Sequence, residues 1–179
     1  PASFHNPMVR KIRKKVRKKV LPIFREMIKD IKDSKRKSAT KLEMLIDRMV
    51  YRHKSQAPSA ESWHRDVTPK KYLVKGDEIF GGWVNLDLDK TQAFSCIFGS
   101  HLGVDLRSLK EGFAALPRDQ MKKLNKIKSK ATIPPGHIII FPQYIFHEVV
   151  SKKASYDMRR LFTGWRTTID TGPLFEDIE

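Results

Sequence analysis

The chain has 179 residues, enough for one domain with a hydrophobic core, and 40% apolar content with nine Gly and ten Pro excludes a fibrous or wholly disordered protein. The formal charge of +16 sets up a field that attracts polyanions, whether nucleic acid, an anionic membrane surface or an acidic protein. One cysteine, Cys96, excludes an internal disulfide and suits an intracellular, reducing compartment such as cytoplasm or nucleus; no apolar run approaches the ~20 residues of a transmembrane span, and no signal peptide is expected.

The charge is concentrated at the start. Residues 9–19, VRKIRKKVRKK, hold eight Lys/Arg in eleven. Val9, Ile12, Val16, Val20, Ile23 and Phe24 recur at helical spacing, with Pro22 breaking the helix or standing near the start of a second one. Ile23, Met27, Ile31, Leu42, Leu45, Ile46 and Met49 predict further helix over 23–50. Between them KDSKRKSAT (32–40) reads as a turn, with Ser38 or Thr40 as cap. Residues 53–61, HKSQAPSAE, form a polar loop.

From residue 62 the texture changes. SWHRDVTP, EIFGGWVNLDL, QAFSCIFGSHL, HIIIFPQYIFHEVV and RRLFTGWRTT are short runs rich in aromatic and β-branched residues, separated by Gly, Pro and Lys clusters. That pattern predicts the strands of a sandwich or barrel. Segment 105–130, basic and with Pro117 near its middle, predicts a helical insertion between strands. The fold class is therefore α+β, divided into a basic N-terminal helical region (1–60) and a β-rich core (61–179) that pack as one compact unit.

Within SWHRDVTP, His64 and Asp66 stand two apart, so on a strand both point to the same face. Imidazole plus carboxylate is part of a metal site. His147, after the apolar strand signal GHIIIF, is the candidate third ligand. Two histidines and one carboxylate occupy one face of Fe(II) and leave positions open for a chelating co-substrate and dioxygen. A closed structural zinc site needs four protein ligands, usually with cysteine, which a single Cys cannot supply.

A chelating keto acid such as 2-oxoglutarate carries a distal carboxylate, and arginine pairs with carboxylate through its planar fork. Arg159 and Arg160 lie twelve and thirteen residues after His147, at hairpin distance. Only one of two adjacent strand residues faces inward. Arg159 is preferred, because Thr163 would share its face and add a hydroxyl. Asn85 and Tyr72 are further candidates for contact with the co-substrate. His101 is expected to stabilise the turn after FGS, and His137 to be exposed.

WHRD, GGWVNLD, FGSHL, IPPGHIIIFPQYIFHEV and RRLFTGW, in this order, resemble the Fe(II)/2-oxoglutarate-dependent oxygenases, the phytanoyl-CoA dioxygenase-like branch above all, over about residues 60–168. The resemblance implies a double-stranded β-helix (cupin-type jelly roll) with N-terminal helices. It implies Fe(II) held by His64, Asp66 and His147, 2-oxoglutarate held by Arg159 or Arg160, and dioxygen-dependent hydroxylation of a second substrate with release of succinate and CO2. GSH at 99–101 matches the family's Pro-Gly-Ser-His turn, with Phe98 where proline is commoner.

Two rival classes stand beside this one. A catalytically silent jelly-roll module would use residues 9–19 and 105–130 to bind nucleic acid or another anionic partner through phosphate-type contacts. A metal-dependent cupin of other chemistry would have no need of the arginine after His147.

Overall fold

Asn6 starts the first helix: its Oδ1 accepts the Met8 N–H at 2.8 Å and its carbonyl accepts the Arg10 N–H at 3.1 Å. Pro7, which has no N–H to satisfy, fills the first helical position. The computed structural model describes residues 6–29, 41–57, 62–68, 78–102, 104, 112–116, 118–149 and 153–168. Helix α1 (Pro7–Lys29) buries Val9, Val20 and Phe24 along one side and leaves Lys11, Lys14, Lys15, Lys18 and Lys19 exposed. It runs through Pro22 without stopping, contrary to the sequence expectation. Pro22 is exposed, so the carbonyl that loses its partner lies on the solvent side.

Of the helix expected over 23–50, residues 23–29 are helical as the end of α1, while the part from residue 41 is not helix. Residues Lys41–Arg52 are strand β1, paired along its length with the last strand. A bulge between Met44 and Ile46 shifts its alternation by one residue, which makes its apolar residues look helically spaced. Long-range pairing outweighs that local pattern.

The other strands are β2 (Ser62–Val67), β3 (Glu78–Asn85), β4 (Gln92–Cys96), β5 (Gly112–Ala115), β6 (Ser129–Ile133), β7 (Ile138–Pro142), β8 (His147–Val149) and β9 (Met158–Thr168). They form two antiparallel sheets, β1-β9-β3-β7 and β5-β2-β8-β4-β6. Part of the expected helical insertion lies outside the described residues. Within its described part, Gly112–Ala115 is a strand beside β2, and helix α2 covers Arg118–Ile127. Small residues with one aromatic suit β5 to pairing against a buried strand.

Trp83 and Phe141 from the first sheet meet Phe94, Cys96 and Ile133 from the second, so this cluster fills the space between the sheets. The outer face of the first sheet is sealed by α1: Phe24 packs edge-on to Phe80 at 5.1 Å and lies 6.1 Å from Trp165, while Val9 packs with Val84 and Leu161. Helix α2 meets the second sheet, where the Asn125 Oδ1 accepts the Trp63 indole N–H at 2.9 Å.

Gly81 and Gly82 let β7 approach β3 closely. A Cβ at Gly82 would overlap the Ile139 carbonyl oxygen, whereas one at Gly81 would come 3.0 Å from the edge of the Phe141 ring. Backbone cannot move aside as a ring can. Gly82→Ala is therefore expected to lower stability by roughly 3 kcal/mol or more, and Gly81→Ala by clearly less. Urea unfolding of the two variants measures the order, and equal losses would contradict it.

Candidate metal centre

Strand β2 projects His64 and Asp66 to one face, and its antiparallel pairing with β8 sets His147 directly opposite His64. The ring centroids lie 4.1 Å apart, tilted by 56°. Asp66 closes the group: its Oδ1 is 3.8 Å from His64 Nε2, and its Oδ2 is 3.5 Å from His147 Nε2. One ligand atom from each residue lies within 4.8 Å of the others, and no other such group of His, Cys, Asp or Glu occurs among the described residues. The three residues singled out in the sequence thus converge.

His147 Nδ1 lies 3.0 Å from the Ile145 carbonyl, which assigns that nitrogen the proton and leaves the Nε2 lone pair for a metal. Burial, and then the neighbouring His64, push His147 down to about 4, outweighing the upward pull of Asp66 and the Ile145 carbonyl. The imidazole is therefore neutral at physiological pH and coordinates without first losing a proton. Both histidines are buried, while the Asp66 side chain is 41% exposed, so the centre opens on the carboxylate side. Cys96 pairs with His147 across β4 and β8, but burial pushes its thiol up, which disfavours the thiolate a metal would need. Three donors without a fourth among the described residues fit an open Fe(II)-type site better than closed structural zinc.

The arginine choice is corrected. Arg160, not Arg159, shares the inner face with Phe162: its guanidinium lies 4.4 Å over the Trp83 ring, and its Nε donates to Gln92 Oε1 at 2.6 Å. Burial lowers Arg160 to about 10, so it stays charged at neutral pH. Arg159 is exposed, 5.6 Å over Tyr51. Thr163 is on the Arg159 face and its Oγ1 accepts the Trp165 indole N–H at 3.1 Å, so its hydroxyl is used there. The bulky aromatic and aliphatic residues on that face, Trp165 and Leu161, are the ones α1 covers, which decides which way β9 turns.

Asn85 is fully buried, but its amide is spent. Nδ2 donates to the Lys90 and Ile133 carbonyls, both at 2.8 Å, and Oδ1 accepts from Asp87 N and Gln92 Nε2, both at 2.9 Å. Both amide hydrogens are thus bonded within the chain, which ties the turn after β3 to its neighbours. Tyr72 lies outside the described residues. Ser100 and Leu102 donate their N–H groups to the Ile97 and Gly99 carbonyls and form the turn after FGS, but the His101 Nδ1 is buried without a hydrogen-bond partner among the described residues, so the expected stabilisation by that ring nitrogen is not seen; His137 is exposed.

Two residues were missed. Gln92 holds Arg160 and accepts the Trp83 indole N–H at 3.1 Å; the alternation Gln92, Phe94, Cys96 signals its inward face. Arg65, between the two β2 ligands, is 9% exposed, and nothing in its local sequence signals that burial.

No protein-family model matches the chain, and no curated protein is similar to it by sequence. Among solved structures it is similar to HygX from Streptomyces hygroscopicus. For the form with nickel and 2-oxoglutarate bound the identity is 13% and the TM-score 0.46, over 92% of this chain and 80% of that one. The apo form gives 14% and 0.44, over 92% and 79%. The iron-bound form gives 15% and 0.42, over 69% of this chain and 58% of that one.

The low position of His147 has a consequence for stability. The unfolded imidazole takes a proton near pH 6.5, and the folded one resists until about pH 4. Its contribution is present above pH 6.5 and is lost as pH falls toward 4. At about 1.4 kcal/mol per unit, the metal-free protein should lose on the order of 3 kcal/mol over that window. His147→Gln should flatten the loss. Denaturant unfolding at pH 7 and 4.5 checks this, and parallel losses in both proteins would contradict it.

Proposed function

We propose that the chain is a non-haem Fe(II)- and 2-oxoglutarate-dependent oxygenase, a hydroxylase, built on a double-stranded β-helix of the phytanoyl-CoA dioxygenase-like kind. The observation that carries this reading is the convergence of His64, Asp66 and His147 within 4.8 Å on two paired strands. The placing of β1, β3, β7 and β9 in one sheet and β2, β4, β6 and β8 in the other, with β5 added at the edge of the second, supports the fold assignment.

Iron bound with 2-oxoglutarate supplies the coupling of dioxygen-driven decarboxylation, yielding succinate and CO2, to insertion of the second oxygen atom into a C–H bond of the substrate. The protein's part is to hold and orient. His64 and His147 present their imidazoles from β2 and β8, and Asp66 adds a carboxylate oxygen. Arg160 anchors the distal carboxylate of 2-oxoglutarate, with Gln92 and Trp83 fixing its guanidinium plane. Phe94 and Phe141, stacked at 4.4 Å and 5.7 and 5.1 Å from the His147 ring, keep the inner side of the centre apolar. Cys96, buried and free, suits a reducing intracellular compartment.

A second reading is compatible with the first. The apolar side of α1 is committed to the sheet, so its exposed Lys11, Lys14, Lys15, Lys18 and Lys19 form a fixed cationic ridge for an anionic partner such as nucleic acid. Binding through that ridge would weaken steeply with salt, with log K falling by about 0.7–0.9 per phosphate neutralised. Among the described residues, no helix is long and apolar enough to cross a membrane.

Succinate release from 2-oxoglutarate in the presence of Fe(II) and dioxygen tests the enzymatic reading. His64→Ala should abolish it. Arg160→Ala should raise the 2-oxoglutarate requirement roughly 10- to 100-fold, from loss of a charge-assisted pair, and Arg159→Ala should leave it nearly unchanged. Equal effects at 159 and 160 would contradict the assignment.

A further inference from the structure

Arg65 separates the two metal-ligand candidates of β2 and points to the opposite face of the strand. Its guanidinium is buried and burial lowers its pKa, yet no carboxylate pairs with it among the described residues. It lies instead 3.5 Å over the ring of Phe146, the residue before His147. Its Nη1 donates to the Ser100 carbonyl at 2.6 Å and to the Tyr144 carbonyl. The same turn is gripped from the turn after β4: Ser100 Oγ accepts the Phe146 N–H at 2.8 Å, and the Phe146 carbonyl accepts the Ile97 N–H at 2.9 Å. That turn also carries the Ile145 carbonyl that fixes the His147 ring.

We infer that Arg65 is a positioning residue that locks the β8 ligand His147 against the β2 ligands His64 and Asp66. The physical reason lies in the length of β8. It has three residues, His147–Val149, so the strand ladder alone gives His147 a short support, with the ligand at its very end. A planar cation stacked on Phe146 and bonded to carbonyls on either side of it supplies a second, independent tie between the two strands. Retaining a buried cation without a carboxylate partner is costly, and apolar filler would seal that face more cheaply. What the guanidinium adds is geometry: two carbonyl acceptors, both met by Nη1, and one ring met by its plane, on three different residues. This inference rests on the metal centre proposed above.

Co(II) titration of the full chain, followed by its visible absorption, tests it alongside thermal unfolding of the metal-free proteins. Wild type should bind one Co(II). Arg65→Lys keeps the charge but loses the planar fork, and Arg65→Met keeps bulk without either. Both should bind Co(II) about 10- to 100-fold more weakly, with altered absorption bands, at temperatures well below their own Tm. A residue that merely supports the fold would lower Tm and leave the affinity and spectrum of the folded protein unchanged, and that outcome overturns the inference. Should the Arg65 variants fail to fold, Phe146→Leu and Ser100→Ala remove the stacking face and the turn's grip, and are expected to weaken binding in the same direction; wild-type binding in both overturns it. If wild type binds no Co(II), the metal centre itself fails and the role of Arg65 falls with it. Wild-type binding with unaffected variants removes only Arg65.

Discussion

The antiparallel register of β2 on β8 is the constraint on which the site depends. It pairs His64 with His147, so two imidazoles on different segments face one point, and Asp66 joins them by strand alternation alone. A slip of one residue would turn either ligand set to the other face. The surrounding structure holds this register from both sides. Cys96 pairs with His147 along β4, β5 backs β2, and on the outer face Lys128 from beyond α2 pairs with Glu148 at 3.1 Å while Asn125 holds Trp63.

The interior sorts its residues by chemistry along the strands. The metal ligands give way to Phe94 and Phe141, these to Trp83 and Phe162, and these to Arg160 and Gln92. A buried cation thus lies behind an aromatic layer on the same side of the sheets as the His-Asp-His group's aromatic neighbours. The hydrogen bonds of Asn85, Asp87 and Gln92 tie the turn after β3 to β4 and to the Arg159 backbone, so the part that holds Arg160 is rigid.

Much of the centre was legible in the sequence because its signals are local. A His-x-Asp on a strand and a His after an apolar run state their geometry through a period of two. The choice between Arg159 and Arg160 was not, because it turns on which face of β9 α1 covers, and α1 lies more than a hundred residues earlier in the chain. Preference for the neighbouring Thr163 hydroxyl favoured the wrong face. β1 was misread because its bulge mimics helical spacing, and Arg65 was passed over because its partners, at 100, 144 and 146, come from two other segments. What the sequence hides here is long-range pairing, not chemistry.

The most direct test of the central claim is an anaerobic titration of the purified chain with Fe(II) and 2-oxoglutarate, read by difference absorption. The account predicts a weak visible charge-transfer band from an iron-chelated keto acid, saturating at one iron per chain and absent from His147→Ala. Retention of no iron by the wild-type chain, or a band that survives in His147→Ala, would contradict it.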